Sequence, residues 1–101
     1  MGLYFWTFVI IDNQFESFGC WWDGEKSAIN GYGGFTGLEG CYELAVSRGY
    51  DFFAIQHGGE CYTSATAGKT YKIYGPAYGC CSEDGTGGIR CQEVYKIELI
   101  S

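Results

Sequence analysis

The chain has 101 residues, of which 47% are hydrophobic and 19% aromatic, and twelve acidic against six basic side chains give a formal charge of −6. A chain of this size makes one domain with a marginal core that calls for staples, and its composition excludes a disordered acidic tail. Seventeen glycines without a three-residue period exclude collagen, and the few scattered cations make nucleic acid and anionic membrane poor partners.

Residues 1–11, MGLYFWTFVII, are apolar apart from Gly2 and Thr7. β-branched and aromatic side chains favour a strand there. Alternation puts Leu3, Phe5, Val9 and Ile11 on one face and Tyr4, Trp6, Phe8 and Ile10 on the other. Both faces are apolar, as for a strand buried on both sides. The run lacks the basic start and small-residue cleavage site of a signal peptide, and it is shorter than the ~20 residues that span a bilayer. It does not read as a myristoylation signal either, since Trp6 stands where Ser or Thr is needed. The expectation is a mature chain without membrane insertion.

Asp12-Asn13 marks a turn, and a second strand is expected over 14–22 with Phe15, Phe18, Trp21 and Trp22. Adjacent Trp21 and Trp22 then point to opposite faces, so one of them needs a partner or a ligand. Residues 23–37 read as a Gly-rich loop. Thr36 and Glu39 fit a capping box, and Leu38, Cys41, Tyr42, Ala45 and Val46 form one apolar stripe, which predicts a helix at about 37–48 stopped by Gly49. The run FFAIQ is a short strand, Gly58-Gly59 supplies positive φ for a hairpin turn, and the return strand covers 60–63. A short second helix is expected at about 65–74, with Ala67, Tyr71 and Tyr74 on one face, ended by Gly75-Pro76. Residues 75–90 are loop, and a half-buried last strand covers 92–99, with Tyr95, Ile97 and Leu99 facing inward. These elements predict an α+β fold, a small disulfide-rich antiparallel sheet with one main helix.

The six cysteines are Cys20, Cys41, Cys61, Cys80, Cys81 and Cys91, with no C-x-x-C pair among them. Zinc-ribbon and thioredoxin readings therefore lack support, and three disulfides formed in an oxidising compartment are expected. Full pairing leaves no thiolate to join His57, the one histidine, in a nucleophilic pair. His57-Gly58-Gly59 has no accompanying G-x-S-x-G, Glu39 and Glu43 lie on the polar side of the expected helix, and Glu83-Asp84-Gly85 lacks EF-hand spacing. No enzymatic activity, metal or cofactor is expected.

A resemblance runs through GCWWD (19–23), CYELAVSRGYDFFAIQHGGECY (41–62), KTYKIYGPAYGC (69–80), EDGTGG (83–88) and EVYKI (93–97). These segments resemble a cysteine-rich module of extracellular invertebrate proteins and, more distantly, WSC domains. The resemblance implies a non-catalytic, disulfide-stapled extracellular module over 14–101, associated with polysaccharide. It also implies a Cys41–Cys61 bond, with Cys20 joined to Cys80 or Cys81 and Cys91 to the neighbour left over. Residues 1–13 fall outside the resemblance.

Two readings follow. In the first, the protein is a non-enzymatic extracellular structural subunit of a filament, matrix or coat. It self-associates by donating Leu3, Tyr4, Phe5, Trp6, Phe8, Val9, Ile10 and Ile11 to another copy. In the second, it is a monomeric lectin-like module that stacks polysaccharide on exposed aromatics, with Trp21, Trp22, Tyr62 and Tyr78 as candidates. Neither reading needs a cofactor.

Overall fold

The computed structural model describes residues 14–98. The expected strand within 1–13 and the Leu99 end of the last strand lie outside the described residues. The aromatic run after Gln14 forms β1 (Phe15–Trp22), followed by β2 (Tyr32–Phe35), α1 (Gly37–Arg48), β3 (Phe52–Gln56), β4 (Glu60–Thr63), α2 (Ala67–Thr70) and β5 (Cys91–Ile97). The strands make one antiparallel sheet in the order β1-β5-β3-β4-β2. With three disulfides, this is a small disulfide-rich α+β fold.

The sheet is covered on both faces. On one side, Phe53, Ile55, Cys61, Tyr95 and Ile97 pack with Cys41 and Ala45 of α1. Phe53 stacks on Tyr95 at 5.2 Å, and Phe15 meets both rings edge-on at 5.4 Å. On the other side, Ala54 and Val94 lie under Ile29, Ala67 and Tyr71. Complete burial of side chains such as Phe53 and Ile55 stabilises the fold by about 2 kcal/mol each. As the second strand of the sheet, β5 buries Gln92 and Val94 on one face and Tyr95 and Ile97 on the other, and exposes Lys96. The expected half-buried alternation is corrected accordingly, because a strand with neighbours on both sides and cover on both faces has little solvent to meet.

The helix occupies the predicted residues, but its start differs. Thr36 takes a helical backbone (φ −100°, ψ −17°) and makes no side-chain cap. Its hydroxyl donates instead to the Gly37 carbonyl at 2.8 Å. A capping box needs an extended N-cap, so that expectation is not met. At the other end Gly49 is left-handed (φ 76°), and the Tyr50 N–H closes onto the Ala45 carbonyl at 2.9 Å. Val46 is 49% exposed, and Leu44 takes its expected place against the core.

Three further expectations change. The Gly-rich stretch contains β2, an edge strand whose Gly33 is closely packed, since a Cβ there would stand 2.5 Å from Leu44 Cδ2 and force that side chain to shift. The hairpin turn puts positive φ on His57 (53°) and Gly58 (83°) rather than on Gly58 and Gly59, closed by the Gly59 N–H to the Gln56 carbonyl at 3.1 Å. The second helix is a single turn, Ala67–Thr70, after which the chain makes plain turns to Tyr74. Gly68 lies inside that stretch and weakens a longer helix.

β1 is bulged between Ser17 and Cys20. Gly19 supplies φ 99°, and its N–H donates to the Ser17 hydroxyl at 3.1 Å. The extra residue reverses the alternation downstream. Cys20 therefore shares the face of Phe15, and Trp21 turns to the opposite face, pairing across with Gln92.

Candidate binding groove

The outer edge of β1 carries the site. Beyond the bulge, the segment 75–77 lies along this edge. The Trp22 N–H donates to the Gly75 carbonyl and the Ala77 N–H to the Cys20 carbonyl, both at 2.9 Å, around a Trp21 to Pro76 bridge. Proline has no N–H to waste at an edge. The Cys20–Cys81 bond fastens the far end of this segment to β1. Together these hold a groove of about 300 Å³ lined by Phe18, Gly19, Cys20, Trp21, Pro76, Tyr78 and Gly79. That is the small end of ligand clefts, which run from about 300 to 1,000 Å³.

Trp21 is half-buried and held from two directions. Its ring meets Tyr71 edge-on at 5.1 Å, and its indole N–H donates to the Phe18 carbonyl at 3.0 Å. Its indole is therefore a fixed wall. Tyr78 is the opposite case, 91% exposed on the rim. The structure thus brings two of the four sequence candidates together. Trp22, 41% exposed, points away from Trp21 across the strand. Tyr62 lies on β4, beyond β5 and β3 in the sheet order, where it packs against Tyr32 at 5.3 Å. Burial first, then the charge of Glu60, pushes the Tyr62 phenol above its usual range. Phe18 and Pro76 join the groove without having been singled out in the sequence. The bulge that turns Trp21 to the same side as Phe18 was hidden by simple alternation.

The chemical candidates resolve plainly. The pairs are Cys20–Cys81, Cys41–Cys61 and Cys80–Cys91, as the resemblance implies. The sulfurs of Cys20, Cys81 and Cys91 lie within 4.8 Å of one another, yet each is bonded in a disulfide and offers no thiolate. His57 Nδ1 meets Glu60 Oε1 at 3.1 Å on the hairpin, with no free thiol to act on.

The Asp84 carboxylate accepts the Ser82 hydroxyl at 2.5 Å, the Thr86 hydroxyl at 2.6 Å and the Thr86 N–H at 3.1 Å. These donors, the Ser82 hydroxyl first, hold its pKa below the usual aspartate value. The folded carboxylate therefore binds its proton less readily than the unfolded one. Its contribution is full above the unfolded pKa and is lost as pH falls through the folded one. Asp84→Asn is expected to lower thermal stability at neutral pH. The two melting curves should converge below about pH 4, which melting at a series of pH values checks.

Comparison with protein-family models and with curated proteins finds no match for this chain. The class is set by the fold itself, a disulfide-stapled α+β domain with an aromatic groove on its sheet edge. Among the described residues no helix is long and apolar enough to cross a membrane.

Proposed function

We propose that the chain is an extracellular, non-enzymatic module that binds polysaccharide along the β1 groove. The observation carrying this reading is the pairing of a fixed half-buried Trp21 with an exposed Tyr78 across one cleft. Sugar rings present C–H faces to such aromatics, and a rigid wall lowers the ordering cost of binding. The disulfides fit an oxidising compartment, and the resemblance to WSC-type modules supports the ligand class.

The test is retention of the purified protein on a panel of insoluble polysaccharides, including chitin, cellulose and β-glucan. Tyr78→Ala removes an exposed side chain, so the melting temperature should hold. A lost ring contact of about 1.4 kcal/mol lowers retention roughly tenfold. Retention on none of the panel, or equal retention by Tyr78→Ala, counts against this reading.

A second reading has its own observation. No described strand lies along the outer edge of β1 ahead of the bulge, over Phe15–Ser17. An open edge is a template for another strand, and the apolar segment 1–13 directly precedes it. Donation of that segment to a neighbouring copy makes a self-associating structural subunit. Light scattering of the full chain and of a chain lacking 1–13 separates the two. A full-length monomer at 11.2 kDa removes the donated strand from consideration.

A further inference from the structure

Tyr62, left out of the groove, has a partner of its own. It faces Tyr32 directly across β4 and β2, and the two ring centroids stand 5.3 Å apart at 49°. On the adjoining pair the Thr63 N–H donates to the Gly31 carbonyl at 2.9 Å. That makes Tyr32 and Tyr62 the closely spaced kind of antiparallel pair, whose side chains meet. Among the described residues they are the one pair of tyrosines with rings in contact. Tyr32 is 59% exposed and Tyr62 half-buried behind it, so one phenol is open to a reagent and the other is in touch with the first.

The pair sits where the sheet lacks a covalent tie. Cys20 of β1, Cys91 of β5 and Cys61 of β4 are each bonded elsewhere in the molecule, and β3 lies between β5 and β4. β2 is an edge strand without such a bond. It has four residues, two of them glycine, and its pairing with β4 is irregular between Tyr32 and Gly34. The Cys41–Cys61 bond reaches it only through α1, which follows Phe35 after one residue. Tyr32 stands at the opposite end of β2, so a bond from Tyr32 to Tyr62 clamps the end that the disulfide does not.

We propose that Tyr32 and Tyr62 are an oxidative cross-linking site, at which a haem peroxidase using hydrogen peroxide joins the two rings and fastens β2 to β4. The exposed Tyr32 phenol loses one electron and one proton to the oxidant. The radical passes to Tyr62 across the ring contact, and the Tyr62 phenol gives up its proton as Tyr32 regains one. Glu60 Oε1, 3.5 Å from the Tyr62 hydroxyl and 3.1 Å from His57 Nδ1, is the base at hand for that proton. Tyr32 is then oxidised a second time. The two radicals couple through ring carbons beside the hydroxyls, and each coupled carbon gives its hydrogen back to its own oxygen through water as the ring becomes aromatic again. In sum the pair loses two electrons and two protons, and one peroxide takes them up as two water molecules. The reaction belongs in the oxidising compartment that the disulfides fit, and it does not depend on the polysaccharide reading.

The test treats the dilute, unreduced full chain with a haem peroxidase and hydrogen peroxide. The expected product elutes as a monomer, is lighter by two hydrogen atoms and carries the blue fluorescence of dityrosine. After reduction and cleavage by trypsin, peptide 27–48 should be joined to peptide 49–69. These peptides also hold Tyr42 and Tyr50, so the variants decide which rings are linked. Tyr32→Phe and Tyr62→Phe keep the ring contact and should each lower the yield of the linked monomer at least tenfold. Tyr78→Phe removes a phenol that is 91% exposed and should leave that yield unchanged. The linked monomer should melt higher than the parent by about 5 °C or more, since the bond restricts the unfolded chain as a disulfide does. Absence of dityrosine, or dityrosine found only in dimers, overturns the proposal. So does a linked monomer that persists in either the Tyr32→Phe or the Tyr62→Phe variant, or one that melts no higher than the parent.

Discussion

Gly87→Ala is expected to destabilise the domain by at least about 3 kcal/mol, a large fraction of a small domain's stability. Gly87 is buried at φ 78°, in the segment laid across the end of β3. There the Gly58 N–H donates to the Thr86 carbonyl at 3.0 Å and the Ser82 N–H to the Gly87 carbonyl at 2.9 Å. A Cβ at this position would overlap the Ile55 carbonyl oxygen and stand 2.9 Å from the Gln56 Cα. Both obstacles are backbone in the central part of the sheet, so neither swings aside. Gly79→Ala is the matched control. It has the same φ of 78° with nothing within 4 Å, so it should cost only the left-handed strain of about 1–2 kcal/mol. Urea denaturation of the two variants measures the difference, and equal costs would show that close approach at Gly87 is not what matters.

The second large effect is loss of Cys20–Cys81. On the chain-entropy account, a disulfide stabilises by restricting the unfolded chain, more so for longer loops. Cys20–Cys81 spans 61 residues, Cys41–Cys61 spans 20 and Cys80–Cys91 spans 11. The corresponding stabilisations are about 4 kcal/mol for the first and about 3 kcal/mol for each of the others. The double variant Cys20→Ala with Cys81→Ala should therefore have the lowest urea midpoint of the three double variants. It should also lose the groove, because segment 75–79 is fastened to β1 at that end. A lower midpoint for the Cys80 and Cys91 pair would contradict the loop-length account.

Much of the fold was legible because local signals agreed. The apolar spacing from Leu38 to Ala45 and the stop at Gly49 placed α1 on its observed residues, and FFAIQ with its return strand gave β3 and β4. β2 was not legible, since Tyr-Gly-Gly-Phe has two residues depleted in strands and is built by its pairing with β4. Which tryptophan would be core was hidden for a different reason. Strict alternation puts Trp21 with Phe15, and only the bulge at Phe18-Gly19 moves it to the Tyr71 side. Of the candidate site, Trp21 and Tyr78 were legible as aromatics without fixed partners.

Adjacent Cys80 and Cys81 send their bonds to different strands, one to β5 and one to β1. With the sulfurs of Cys20, Cys81 and Cys91 within 4.8 Å, opening either bond sets a thiolate within reach of the other. Thiol–disulfide exchange then shuffles partners inside the molecule. Such exchange changes which cysteines are paired and leaves the number of disulfides the same. The native pairing of the twin cysteines matches the pairing of β1 with β5, since Cys20 lies on one strand and Cys91 on the other. A chain that forms the wrong bond at one twin can reach the native pairs by the same exchange, because the sulfurs concerned lie close together.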